Sequence, residues 1–268
     1  MTGLKEKQIL FYRESVDAEF EIARPDGCGR LYNYLMSYKI DGGLRRVPFS
    51  LRDRNVLDAC CGSGMAMEFL SRTGATVFGM DLSKDAVLRA RERARRHGFD
   101  ARFVVGDAEN LPFLDSAVDV SFVHDGLHHL SAPYQAIREL SRAARRAVLL
   151  VEPANAAITR VAVTLGLAQA QEDAGNYVNR LSKAELIAVF RDIGVRSVMV
   201  RRYCMYYHHE PKWYYRIFDN SVVFRLFQAA FLLTNLVLGR WGNKIMCLAV
   251  KTDEEQKASP RSPLAAIE

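Results

Sequence analysis

Three carboxylates and a pair of glycines are the clearest chemistry in this chain. Asp58 lies near the end of an apolar run, residues 55–59, and Cys60-Cys-Gly-Ser-Gly64 follows before a helical pattern opens at Met65. Asp81 closes the next apolar run, residues 75–80, and Asp107 the third, residues 101–106. A strand, a tight turn through Gly62 and Gly64, and a helix start let a nucleotide-like ligand lie against bare backbone. One strand-end acid is an ordinary cap. Three in succession, in register with the glycines, predict a ligand with several polar parts at the carboxyl edge of an open sheet, where such folds bind. A second cluster follows the fourth apolar run: His124, Asp125, His128 and His129. An imidazole suits removal of a hydroxyl proton near neutral pH. Each histidine taken singly is also explained by packing: His129 beneath a helix, and His124 against the ligand's backbone side. His208 and His209 are alternative bases if their aromatic segment folds over the site.

The elements that position these residues alternate. Strands are predicted at 55–59, 76–80, 102–105, 118–123, 147–152, 195–203 and 244–251. Helices fall at 64–72, 84–97 and 133–143, and Ser182 with Glu185 caps a further helix ending at 192. Short apolar runs separated by helical stretches imply an α/β fold on a largely parallel sheet. The chain has 268 residues, 49% apolar and 25% charged, enough for one α/β domain with a large core. Its net charge of +6 mildly favours anionic partners or membrane surfaces. Much of that excess lies in residues 89–96, read as the solvated face of the helix after Asp81. Five cysteines with no metal-ligand spacing, and a polar first ten residues without a secretory pattern, predict a reduced, cytoplasmic protein.

In order and spacing, Val56-Leu-Asp-Ala-Cys-Cys-Gly-Ser-Gly64, Gly79-Met-Asp-Leu-Ser83, Gly106-Asp-Ala-Glu-Asn-Leu-Pro-Phe113 and the stretch from Val118 to Leu130 resemble the class I S-adenosylmethionine-dependent methyltransferases. The branch is that of the ubiquinone-biosynthesis and other small-molecule methyltransferases. The likeness covers residues 54–153; its one departure is Cys60, where the family's turn has its first glycine. It implies a Rossmann-like, seven-stranded, mostly parallel sheet with helices on both faces, whose last strand inserts antiparallel between the fifth and sixth. It further implies S-adenosylmethionine as donor, S-adenosylhomocysteine (SAH) as product, and no metal. By resemblance Asp81, with Leu82, meets the ribose, Asp107 and Ala108 the adenine, and Cys60, Gly62 and Gly64 the methionine portion. Asp58 orders the turn and meets the amino group, and His124 borders the cofactor. His128 or His129, with Glu152, corresponds to the proposed base of some relatives.

Three segments fall outside that likeness: an N-terminal helical cap (1–53), and two insertions in the 54–251 domain, at 154–181 and 205–243. A tail at 252–268 reads as disordered. The first two segments are candidates for a substrate cap. The third runs from dense aromatics into an apolar helix, 221–238, ~27 Å long and close to a bilayer's hydrocarbon thickness. A single crossing would strand its flanking strands on opposite sides of the membrane. The helix must pack on the domain or line the acceptor pocket, form a homodimer, or make peripheral membrane contact through 213–238. The apolar cap favours a bulky, hydrophobic, lipid-like small-molecule acceptor, methylated at oxygen before carbon or nitrogen.

Competing classes are weaker. A nicotinamide-dependent dehydrogenase needs a small third residue in its glycine series, where Met67 stands. An RNA or other nucleic-acid methyltransferase lacks here an Asn-Pro-Pro-Tyr segment, a Pro-Cys nucleophile and a basic stripe with interleaved aromatics. A non-catalytic assembly subunit would not need Asp81, Asp107 and Gly64 intact.

Overall fold

The structure, a computed structural model, describes residues 3–157, 159, 164 and 179–252. Seven strands form one sheet: β1 (Asn55–Ala59), β2 (Thr76–Asp81), β3 (Ala101–Val105), β4 (Val118–His124), β5 (Ala144–Pro153), β6 (Ser197–Tyr203) and β7 (Lys244–Val250). Their order is β3-β2-β1-β4-β5-β7-β6. The pairs among β1 to β5 are parallel, and β7 lies antiparallel between β5 and β6. The order reverses between β1 and β4, and this switch point opens a crevice at the strands' carboxyl ends.

Both sheet faces are buried, as a parallel sheet requires. Val56, Val77, Val120, Leu149 and Val151 face one core, and Leu57, Phe78, Met80, Val148 and Leu150 the other. The first core is closed by α3 (Gly29–Leu44), α4 (Met65–Ser71) and α5 (Lys84–His97). The second is closed by α6 (Pro133–Ala143) and α7 (Lys183–Asp192). α3 sits close to β5: a Cβ on Gly43 would lie 3.3 Å from Leu149. It belongs to the core, and only the helices before it, α1 (Gly3–Glu14) and α2 (Ala18–Ala23), reach over the crevice.

Two expectations need correction. The cluster at 89–96 is not wholly solvated. Arg93 is fully buried; its guanidinium donates to Ser63 O (3.0 Å), Glu68 (3.2 Å), Glu21 O (2.6 Å) and Arg24 O. One planar, five-donor group thus ties α2, the glycine turn and α4 together, a task suited to arginine. The apolar helix α8 (Ser221–Leu238) does not line the crevice: none of its residues reaches the cavity or is fully buried. Phe224, Phe227 and Phe231 pack around Tyr34, and Asn235 bonds the backbone of Cys204 in both directions. The helix therefore turns its aromatic and amide edge inward and its aliphatic face outward. Most of the insertion at 154–181, and all but Thr252 of the tail, lie outside the described residues.

Candidate active site

The glycine turn is built by left-handed backbone. Cys60, Gly62 and Gly64 have φ of 58°, 53° and 79°. Cys60 thus adopts the conformation glycine would, and room for its side chain comes from across the crevice, where a Cβ on Gly126 would lie 2.5 Å from that of Cys60. Gly64 caps α4 against Ala90, 3.1 Å from where its own Cβ would stand.

A cavity of about 1020 Å³ lies over the turn. It is lined by Asp58, Cys60, Gly62, Asp81, Leu82, Asp107, Ala108, His124, His128 and His129. Gly64 and Glu152, the other two sequence-predicted residues, support it from behind. Its size is at the upper end of the ~300–1,000 Å³ usual for ligand sites, room for a large donor and an acceptor together.

The acids differ in state. Asp81 accepts N–H bonds from Gly62 and Ser83, 2.9 Å each, leaving each oxygen a lone pair for a ligand; burial raises its pKa despite these bonds. Asp107 accepts from Glu109 N–H at 2.9 Å and pairs with Lys5. Asp58 is buried, and its Oδ2 has no hydrogen-bond partner among the described residues. Burial, then the neighbouring Asp81, push its pKa well up. A buried carboxylate oxygen without a donor is costly. It is a natural seat for a cationic amine.

The histidines separate likewise. Glu152, fully buried, accepts N–H bonds from Gly126 and Leu127 at 2.8 Å each on Oε1, and its Oε2 meets His128 Nδ1 at 2.8 Å. A carboxylate only accepts, so Nδ1 carries the hydrogen and the ring's lone pair falls on Nε2. The His129 ring lies 4.0 Å from that of His128. His124 is held neutral: burial, then Lys39, push its pKa well down. His209 pairs with Glu21 at 2.7 Å, and His208 N–H donates to the Tyr215 hydroxyl.

Two sets of site residues went unread in the sequence. On α1, Lys5 pairs with Asp107 and Glu109, Gln8 donates to His129 O, and Tyr12 bonds Ser63, so the helix straps the cavity. At the cavity Asp125, itself legible in the sequence, gathers Lys39, Lys244 (3.4 Å) and the Tyr207 hydroxyl (2.7 Å). Burial raises the Asp125 pKa, but Lys244 and Lys39 hold it well below the usual carboxylate range. This network holds Tyr207 in the cavity lining. A signal was present: Lys39 is the lone charge in the apolar stretch 35–40.

The sheet order, glycine turn and strand-end acids define a Rossmann-like fold of the methyltransferase type. Residues 57–151 match the family described as a methyltransferase domain, and the chain carries a class I S-adenosylmethionine-dependent methyltransferase domain. Methyltransferase GfsG of Streptomyces halstedii is 31% identical over 144 residues, 49% of this chain and 52% of that protein. The 27-O-demethylrifamycin SV methyltransferase of Amycolatopsis mediterranei is 33% identical over 102 residues, 37% of each chain. This chain thus spans about half or less of the curated relatives it matches. Magnesium protoporphyrin IX methyltransferase from Synechocystis PCC 6803, solved with bound SAH, shares the fold, with a TM-score of 0.60 at 17% identity over 92% of this chain and 100% of that one.

Proposed function

We propose that this protein methylates a bulky, hydrophobic small molecule at an oxygen, with S-adenosylmethionine as donor. The observation that carries the donor is Asp58 Oδ2, buried beside the turn and without a partner among the described residues. Asp58 would hold the amino group, Asp81 the ribose, and Asp107 with Ala108 the adenine side, while Cys60 and Gly62 keep backbone close to the methionine portion. When bound, S-adenosylmethionine supplies a methyl group on a sulfonium sulfur that departs as a neutral thioether. The chain's own work is to align the acceptor, exclude water and take one proton. Alignment alone can supply most of the rate. His128 Nε2 would receive the acceptor's hydroxyl proton, with Glu152 stabilising the resulting imidazolium and Gly126 and Leu127 fixing that carboxylate. An oxygen acceptor suits such a base, and the rifamycin relative's name also specifies an oxygen. A hydrophobic acceptor suits Met205, Tyr206 and Tyr207, which line the same cavity as the histidines.

Calorimetric titration with S-adenosylmethionine, SAH and NADH tests the donor. Micromolar binding of the first two, absent for NADH, is expected; none to the folded protein would refute the reading. A panel of hydroxylated hydrophobic acceptors, read by mass spectrometry, tests the rest. Turnover confined to small polar acceptors would overturn the substrate class.

A further inference from the structure

The outward side of α8 reverses the usual pattern of a surface helix. Val222, Leu226, Leu233 and Leu236 are 66%, 67%, 61% and 83% exposed, whereas Gln228 and Asn235 turn toward the domain. An aliphatic face of this length, left open to water, marks a contact surface. It is long and apolar enough to cross a bilayer by composition, but its anchoring forbids that. Its start is tied to α3 through Arg30 and Ser221 (3.0 Å), and its end to the β6 exit through Asn235 and Cys204 (2.7 Å). It lies flat on the domain.

We infer that this face docks the protein on an anionic lipid leaflet, with α8 parallel to the surface. Two observations favour lipid over a second copy. Trp213 and Trp241, 80% and 51% exposed, flank the helix before its start and after its end, as amphipathic rings sit at a membrane interface. The charges in and beside it along the chain are mostly basic. Arg216, Arg225 and Arg240 are exposed, and the sole acid from Trp213 to Lys251 is Asp219, which accepts from Arg30 N–H. A two-fold dimer through this face would bring two patches of like charge together. Anionic headgroups complement them. The cavity-lining residues 205–210 continue through Trp213–Asp219 into α8. The docking does not depend on the methyl-transfer reading.

Flotation of the purified protein with phosphatidylcholine vesicles, with and without phosphatidylglycerol, tests this. Binding should require the anionic lipid, weaken as salt rises, and fall by ~10-fold or more in L226E/L233E/L236E. SAH titration of that variant should match wild type, which separates lost docking from lost folding or a failed donor reading. Failure of wild type to float, or flotation unchanged in the variant, would overturn the proposal. So would a salt-insensitive dimer in lipid-free solution that the triple variant dissolves.

Discussion

Glu152→Gln isolates the proton-accepting pair from the fold that holds it. Glutamine keeps a carbonyl for the Gly126 and Leu127 amides but puts an NH2 where Oε2 met His128. Two donors cannot share one hydrogen bond, so the imidazole must offer a bare Nδ1 and carry its hydrogen on Nε2. That nitrogen then has no lone pair for an acceptor's proton. A hydrogen bond to a charged group contributes ~1.5–3 kcal/mol against ~0.5–1.5 for a neutral one, so three weakened bonds cost at most about 3–4.5 kcal/mol in stability. A domain of ordinary stability survives that loss. Positioned proton transfer contributes ~10²–10⁴-fold, and kcat should fall by about that factor. SAH affinity should change less than about twofold, since Glu152 does not reach the cavity. Single-turnover methyl transfer, paired with calorimetry, reads both. Adding His128→Asn to the variant should cost little more, because the two residues act as a unit. A folded Glu152→Gln protein with normal SAH binding and kcat within about threefold of wild type would refute the argument.

Two further outcomes follow from the buried acids. Burial and Asp81 keep the Asp58 carboxyl protonated to unusually high pH, so seating a ligand's ammonium there requires losing that proton. Affinity for SAH should rise with pH in wild type. Asp58→Asn should bind ~10–100-fold more weakly, with a flatter curve; parallel curves would remove Asp58 from the amine site. Burial alone would raise the Glu21 pKa, but Arg24 and His209 hold it at about 2, against an ordinary 4.5. A carboxyl depressed on folding stabilises above its unfolded pKa and loses that contribution as pH falls. Up to ~3 kcal/mol should therefore be present above pH 4.5 and disappear toward pH 2, less whatever the half-exposed His209 loses to screening. Chemical denaturation of wild type and Glu21→Gln should show curves converging across that window.

Much of this molecule is written in local pattern. The alternation of apolar runs gave the seven strands, because a parallel sheet buried on both faces leaves short continuous apolar segments. Asp58, Asp81, Asp107 and the turn at 60–64 could be read because strand ends and positive-φ turns constrain residue type within a few positions. His128 and Glu152 came from the family likeness. Tertiary structure decided what joins distant parts of the chain. Lys5 meets Asp107 across 102 positions and Tyr207 meets Asp125 across 82; such pairings depend on docking, which no local period encodes. Arg93 shows the same limit: its helix reads as solvated, yet α2 folds over it and supplies backbone acceptors. The apolar character of α8 was plain from its composition, but which face it would bury was not. Tyr34 and Cys204 drew its aromatic and amide edge inward, and that choice left the leucines facing out.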